Sequence, residues 1–156
     1  MFIIFLLAIS VLTTGAYRTI KHEWITFRKG ESYFEKKEYA KAIPFFRSTL
    51  EHGIKKPEAV FQIAESYYVI GDLSSALSIY NKIEKENPTN TAIILRLADI
   101  YVDLKRFNEA AYMYRNLLRI NPLNRSSRIK LARTLAWSEK YDESILEYRK
   151  VLGDIK

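Results

Sequence analysis

Residues 60–88 read VFQIAESYYVIGDLSSALSIYNKIEKENP, and residues 94–122 read ILRLADIYVDLKRFNEAAYMYRNLLRINP. Set one over the other at an offset of 34, they place Val60 over Ile94, Ile63 over Leu97, Ala64 over Ala98 and Tyr67 over Tyr101. Further on, Gly71 meets Lys105, Leu73 meets Phe107, Ala76 meets Ala110, Tyr80 meets Tyr114 and Pro88 meets Pro122. Self-similarity at this period means stacked supersecondary units, because each unit carries an apolar face that only its neighbour can cover. The chemistry of the pattern is legible: small Ala64 and Ala98 let two helices approach closely, tyrosines fill the space beside them, and the prolines stop the second helix. The same frame runs back through Gly30, Tyr33, Tyr39, Ala42 and Phe46, and forward through Leu131, Ala132, Leu135, Tyr141, Ser144 and Tyr148. It divides the chain into units 23–56, 57–90, 91–124 and 125–156, preceded by a segment 1–22.

These residues resemble the tetratricopeptide repeat, a helix-turn-helix unit with the pattern W-x2-L-G-x2-Y, A-x3-F, P. The resemblance rests on two near-complete motifs and two degraded ones. Thr26 and Lys29 stand where the first repeat would have tryptophan and leucine, and Leu135 and Ser144 replace tyrosine and alanine in the fourth. End repeats are expected to depart from the pattern in this way. What the resemblance implies is an all-α, right-handed superhelix of tandem helical hairpins, without catalytic activity. It also implies a concave groove lined by the first helix of each repeat.

Composition agrees and excludes. Five glycines and four prolines leave no room for a many-turned β architecture. The absence of cysteine removes disulfides, thiolate nucleophiles and cysteine metal sites. His22 and His52 have no second ligand at i+3 or i+4, and no phosphate loop, G-x-S-x-G, H-E-x-x-H or dinucleotide fingerprint occurs. Neither an enzyme nor a cofactor is expected.

The amino-terminal run from Phe2 to Tyr17 carries no charge, and Arg18 and Lys21 follow it. As a helix it would extend about 24 Å, short of a roughly 30 Å hydrocarbon core, although the flanking basic side chains can snorkel. With no Lys or Arg ahead of it, the run reads as a retained transmembrane anchor before a cleaved signal peptide, for which Thr14-Gly15-Ala16 is a passable site. A core helix is the weakest reading, because Phe2 to Leu12 has no polar stripe. Arg18, Lys21, Arg28 and Lys29 follow the span, which places the repeats in the cytoplasm, with a periplasmic location as the alternative.

In the groove implied by the family, Phe27, Glu31 and Phe34 come from the first repeat and Phe61, Glu65 and Tyr68 from the second. Leu95, Arg96, Asp99 and Val102 come from the third, and Ile129, Arg133 and Trp137 from the fourth. The apolar members form an interrupted stripe not needed for packing between repeats, which suits an amphipathic helix or an apolar peptide as protein partner. Sites that clamp chaperone carboxylates in one variant of the family hold Phe27, Glu31, Gln62, Ala92 and Arg96, and only the arginine matches. The last helix, Tyr141 to Leu152, should leave Ile145, Tyr148, Val151 and Leu152 partly exposed or covered by another chain, which points to self-association at that end.

Charge is uneven: the first and last repeats carry net +3 each and the second −3. Arg125, Arg128, Lys130 and Arg133 share one helix and could bind phosphate or RNA. Glu139, Asp142, Glu143 and Glu147 follow closely, so a solvated face is the expectation and nucleic acid is not. The functional expectation is a membrane-anchored, non-catalytic scaffold or assembly factor for a membrane or envelope complex. An exported periplasmic component of a secretion or surface-polymer assembly is the alternative, and phosphate or RNA binding through the fourth repeat is a third reading.

Overall fold

The structure, a computed structural model, describes residues 22, 24–51 and 57–153, which form helices joined by short turns, with no strand among them. Eight helices follow the 34-residue frame. They are α1 (residues 24–35), α2 (Tyr39–Glu51), α3 (Pro57–Val69), α4 (Leu73–Glu86), α5 (Thr91–Asp103), α6 (Phe107–Ile120), α7 (Arg125–Trp137) and α8 (Tyr141–Leu152). No described helix is long and apolar enough to cross a membrane. The anchor expected over residues 2–17 lies outside the described residues, as does His52.

The described residues divide into two compact units, one up to Asp72 and the other from Leu73 onward. In the first, α2 packs on α3, and Phe46 at the centre of α2 is fully buried beside Phe27 and Phe34 of α1, with ring centroids 5.8 and 6.2 Å away. In the second, each helix from α4 to α8 packs on the next. Its core takes the motif positions and apolar residues beside them: Ile93, Ile94, Leu97, Ala98 and Ile100 of α5, Ala110, Ala111, Tyr114 and Leu117 of α6, and Leu131, Ala132 and Leu135 of α7 are all buried.

The turn inside each hairpin is the same object four times. Lys37, Gly71, Lys105 and Glu139, spaced by 34, all have positive φ, between 58° and 85°. The residue after each donates its N–H across the turn: Glu38 to Tyr33 O, Asp72 to Tyr67 O, Arg106 to Tyr101 O and Lys140 to Leu135 O, at 2.8 to 2.9 Å. This left-handed closure satisfies carbonyls that the helix end leaves open. Between hairpins, Asn-Pro-x-Asn does the corresponding work. Asn90 Oδ1 accepts from the Ala92 and Ile93 N–H groups, and Asn124 Oδ1 accepts from the Ser127 N–H at 2.9 Å, so each asparagine caps the helix it precedes. The prolines stand two residues after α4 and α6 end, where the pattern puts them.

Candidate functional site

In the first unit the candidate residues fall on α1 and α3. Phe27 is not on the surface: it is buried against Phe46, and this corrects the expectation that it lines a groove. The physical reason is local. Thr26 and Lys29 supply little apolar volume at the usual packing positions of α1, and Phe27 turns inward to meet the Phe46 ring. Phe34 is half-buried, edge-on to Tyr39 at 5.3 Å, so it belongs partly to the α1–α2 contact. Glu31 accepts from Arg28 at 3.0 Å. On α3, Phe61 is exposed, and Tyr68 and Glu65 are half-buried.

In the second unit, α5 and α7 carry Leu95, Arg96, Asp99, Val102, Ile129, Arg133 and Trp137, none of them buried. Asp99 is the polar centre of this face. It accepts from the Tyr114 hydroxyl at 2.7 Å and from Lys130 Nζ at 2.8 and 3.1 Å, tying α5, α6 and α7 together. The Lys130 ammonium also lies 6.0 Å from the centre of the Tyr114 ring. Leu95, Val102 and Ile129 are half-buried around this tie, while Arg133 is exposed with no ion pair among the described residues. Trp137 sits elsewhere, at the hairpin turns. Its ring tilts over Phe107 at 5.8 Å, and the two form the floor of an open recess of about 330 Å³ rimmed by Lys105, Arg106 and Glu139.

The basic helix of the fourth repeat is largely committed to the fold. Arg128 donates to Glu147 at 2.7 Å and to the Pro122 carbonyl, and Lys130 is held by Asp99, which leaves Arg125 and Arg133 exposed on α7. Burial pushes the Glu147 carboxyl up, but hydrogen bonds from Lys150 and Arg128, with their charges, outweigh it and hold the group below its ordinary value. A face with half its cations neutralised internally is a poor phosphate collector. Sequence spacing alone could not show this, because Glu147 and Asp99 lie on other helices.

The exposed apolar surface gathers in a different place. Ile145, Tyr148 and Leu152 are exposed along α8 and Val151 is half-buried, as the reading of the carboxyl end anticipated, and Tyr141 and Leu146 are exposed beside them. Of the apolar candidate groove residues, only Phe61 and Trp137 are comparably open.

Helical hairpins with a 34-residue frame, a left-handed turn in each and small residues at the crossing define a tetratricopeptide-repeat protein. Comparison with known families agrees. The model for "Anaphase-promoting complex, cyclosome, subunit 3" matches residues 35–117, more than half of the chain, and one described as "Tetratricopeptide repeat" matches residues 95–155. The chain belongs to the first of these, one of the tetratricopeptide-repeat families. Among curated proteins none matches it in sequence. Solved structures of MamA share the fold. MamA AMB-1 superposes with a TM-score of 0.74 at 16% identity, over 83% of this chain and 70% of that one. The RS-1 double mutant of MamA gives 0.74 at 15% identity, over 84% and 74%, and a further crystal structure of MamA gives 0.73 at 14%, over 84% and 72%.

Proposed function

We propose that the chain is a non-catalytic scaffold that binds a protein partner on the surface of its first-in-hairpin helices. The observation that carries this reading is the division of α5 and α7 into two kinds of position. Ile93, Leu97, Ile100, Ser127, Leu131 and Thr134 are buried, while Leu95, Val102, Ile129 and Trp137 keep apolar surface outside the core. Leu95, Val102 and Ile129 beside a charge pair such as Asp99–Lys130 suit an amphipathic helix or apolar peptide, and Trp137 offers a separate aromatic surface at the end of α7. Phe61 and Tyr68 on α3 offer the same chemistry in the first unit.

The proposal includes a membrane anchor over residues 2–17 with the repeats on the cytoplasmic side, supported by the uncharged run and the basic residues that follow it. Carbonate extraction with intact-mass measurement tests it, and a soluble species beginning near Tyr17 would replace the anchor with an exported form. For the binding surface, Phe61→Ala, Tyr68→Ala and Trp137→Ala are each expected to weaken partner association by about 1 to 3 kcal/mol while leaving thermal melting nearly unchanged. Binding and stability lost in parallel would show these side chains to be core and overturn the reading.

A further inference from the structure

Corresponding positions of α6 and α8 carry apolar residues with opposite fates. Ala111 is 1% exposed and its counterpart Ile145 is 51% exposed; Tyr114 is 2% and Tyr148 39%; Leu118 is half-buried and Leu152 is 71% exposed. What covers the α6 positions is α7. On α8 the stripe Tyr141, Ile145, Tyr148 and Leu152 follows the spacing of a helix-pairing seam, with Asp142 and Arg149 seven residues apart along one flank. Both are exposed and neither has an ion pair among the described residues.

We propose that this face of α8 pairs with α8 of a second copy of the chain, antiparallel and about a two-fold axis. Antiparallel pairing sets Asp142 of each copy against Arg149 of the other, so one favourable contact is made twice, and it opposes the acidic first turn of α8 to the basic last turn of its mate. The other way to cover the face with a second copy is head-to-tail continuation, with α1 of the next copy lying where a further repeat would. Charge argues against that. Among the described residues, three ties between side chains join the third and fourth repeats: Asp99 with Lys130, Arg115 with Glu143, and Asn108 with Lys140. Moved on by one repeat, the same geometry would set Arg133 against Arg28, Arg149 against Lys41 and Asp142 against Glu38 of the next copy. All three are like-charged, which raises the cost of the head-to-tail arrangement and leaves the two-fold one.

A single helix face is a small interface, so the dimer is weak, with a dissociation constant on the order of tens of micromolar. The full chain in neutral detergent is the material for the test, and because it has no cysteine, single cysteines report position cleanly. A short bifunctional maleimide should join two copies of the Ile145→Cys variant and leave Tyr112→Cys, exposed on α6, unjoined. In sedimentation, D142R and R149D alone should each weaken the dimer about 5- to 30-fold, since each reversal acts at both symmetric contacts. An equimolar mixture of the two variants should associate as tightly as the native chain, because in the mixed pair both contacts are again opposite in charge. A monomer throughout the concentration range, equal joining at Tyr112→Cys, or a mixture no tighter than the single variants would each overturn the proposal.

Discussion

Helices α6 and α8 occupy the same place in successive hairpins, share the motif tyrosine and differ in what lies beside them. Tyr114 is enclosed by α5 and α7 and hydrogen-bonded to Asp99, whereas Tyr148 is partly open to solvent. The difference teaches that in a stacked array a motif residue has no fixed burial: the neighbour decides it. The same side chain is core in one repeat and partly exposed in the next.

The largest expected effect separates these two tyrosines. Tyr114→Ala should cost about 3 to 5 kcal/mol in chemical denaturation, through the cavity it leaves and the hydrogen bond it removes. Tyr148→Ala should cost less than about 1.5 kcal/mol, because part of the ring is in water already. Equal losses would mean that α8 is covered as α6 is.

A smaller effect separates the first repeat from the others at the helix crossing. Ala64, Ala98 and Ala132 stand where the first repeat has Gly30, and each is fully buried. A Cβ at Gly30 would come within 2.6 Å of Phe46 Cε1, a ring with no exposed surface that cannot step aside. Gly30→Ala should therefore lose about 1 to 3 kcal/mol through overpacking, although alanine is the residue that every other repeat uses. Phe46→Tyr would not relieve the clash, but Phe46→Leu in the same chain should restore part of the loss. A neutral Gly30→Ala would show that the crossing is looser than its geometry.

How much of this was legible in the sequence differs by level. Helix positions were, because proline, the small crossing residues and the tyrosines each act within one repeat: α8 begins and ends at Tyr141 and Leu152 as the frame implied. The α8 surface was legible for the same reason, through a unit with an apolar outer face. Phe27 was not, because its direction depends on what Thr26 and Lys29 fail to fill and on where Phe46 lies. The basic helix of the fourth repeat was legible in part: acids close by in sequence were visible, but not that Arg128 and Lys130 pair with Glu147 and Asp99 on other helices, at separations of 19 and 31 residues. Pairing at such distance leaves no local signature.

The Arg128–Glu147 pair sharpens the comparison of third and fourth hairpins further, for the corresponding positions in the third are Ile94 and Met113. Glu147→Gln should cost about 1 to 2 kcal/mol at neutral pH, because Arg128 is left mostly buried with a weaker acceptor. The Glu147 pKa is lowered on folding, so its contribution is fully present above the unfolded value of about 4.3 and is lost as pH falls through the lower folded one. The gap between native chain and variant should accordingly close in acid. The double variant R128I/E147M, which copies the third repeat, should be close to neutral in stability and insensitive to pH over that range. A gap that persists undiminished at low pH would assign the loss to packing.

The smallest effect lies in the turns, where the second hairpin again differs from the rest. Gly71 takes the left-handed conformation without a Cβ, while Lys37, Lys105 and Glu139 hold it with one, at φ of 62°, 58° and 61°. A non-glycine residue there costs roughly 1 to 2 kcal/mol, and glycine gives back about 0.5 to 1 of that through the greater freedom of its unfolded chain. Glu139→Gly should thus stabilise by about 0.5 kcal/mol, and Gly71→Ala should destabilise by a similar or slightly larger amount, with no steric neighbour within 4 Å to confuse the result. Denaturation midpoints for the two variants decide it. If Glu139→Gly were destabilising instead, the side chain would be making a contact that outweighs its strain, and the four turns would be equivalent in backbone path but not in energy.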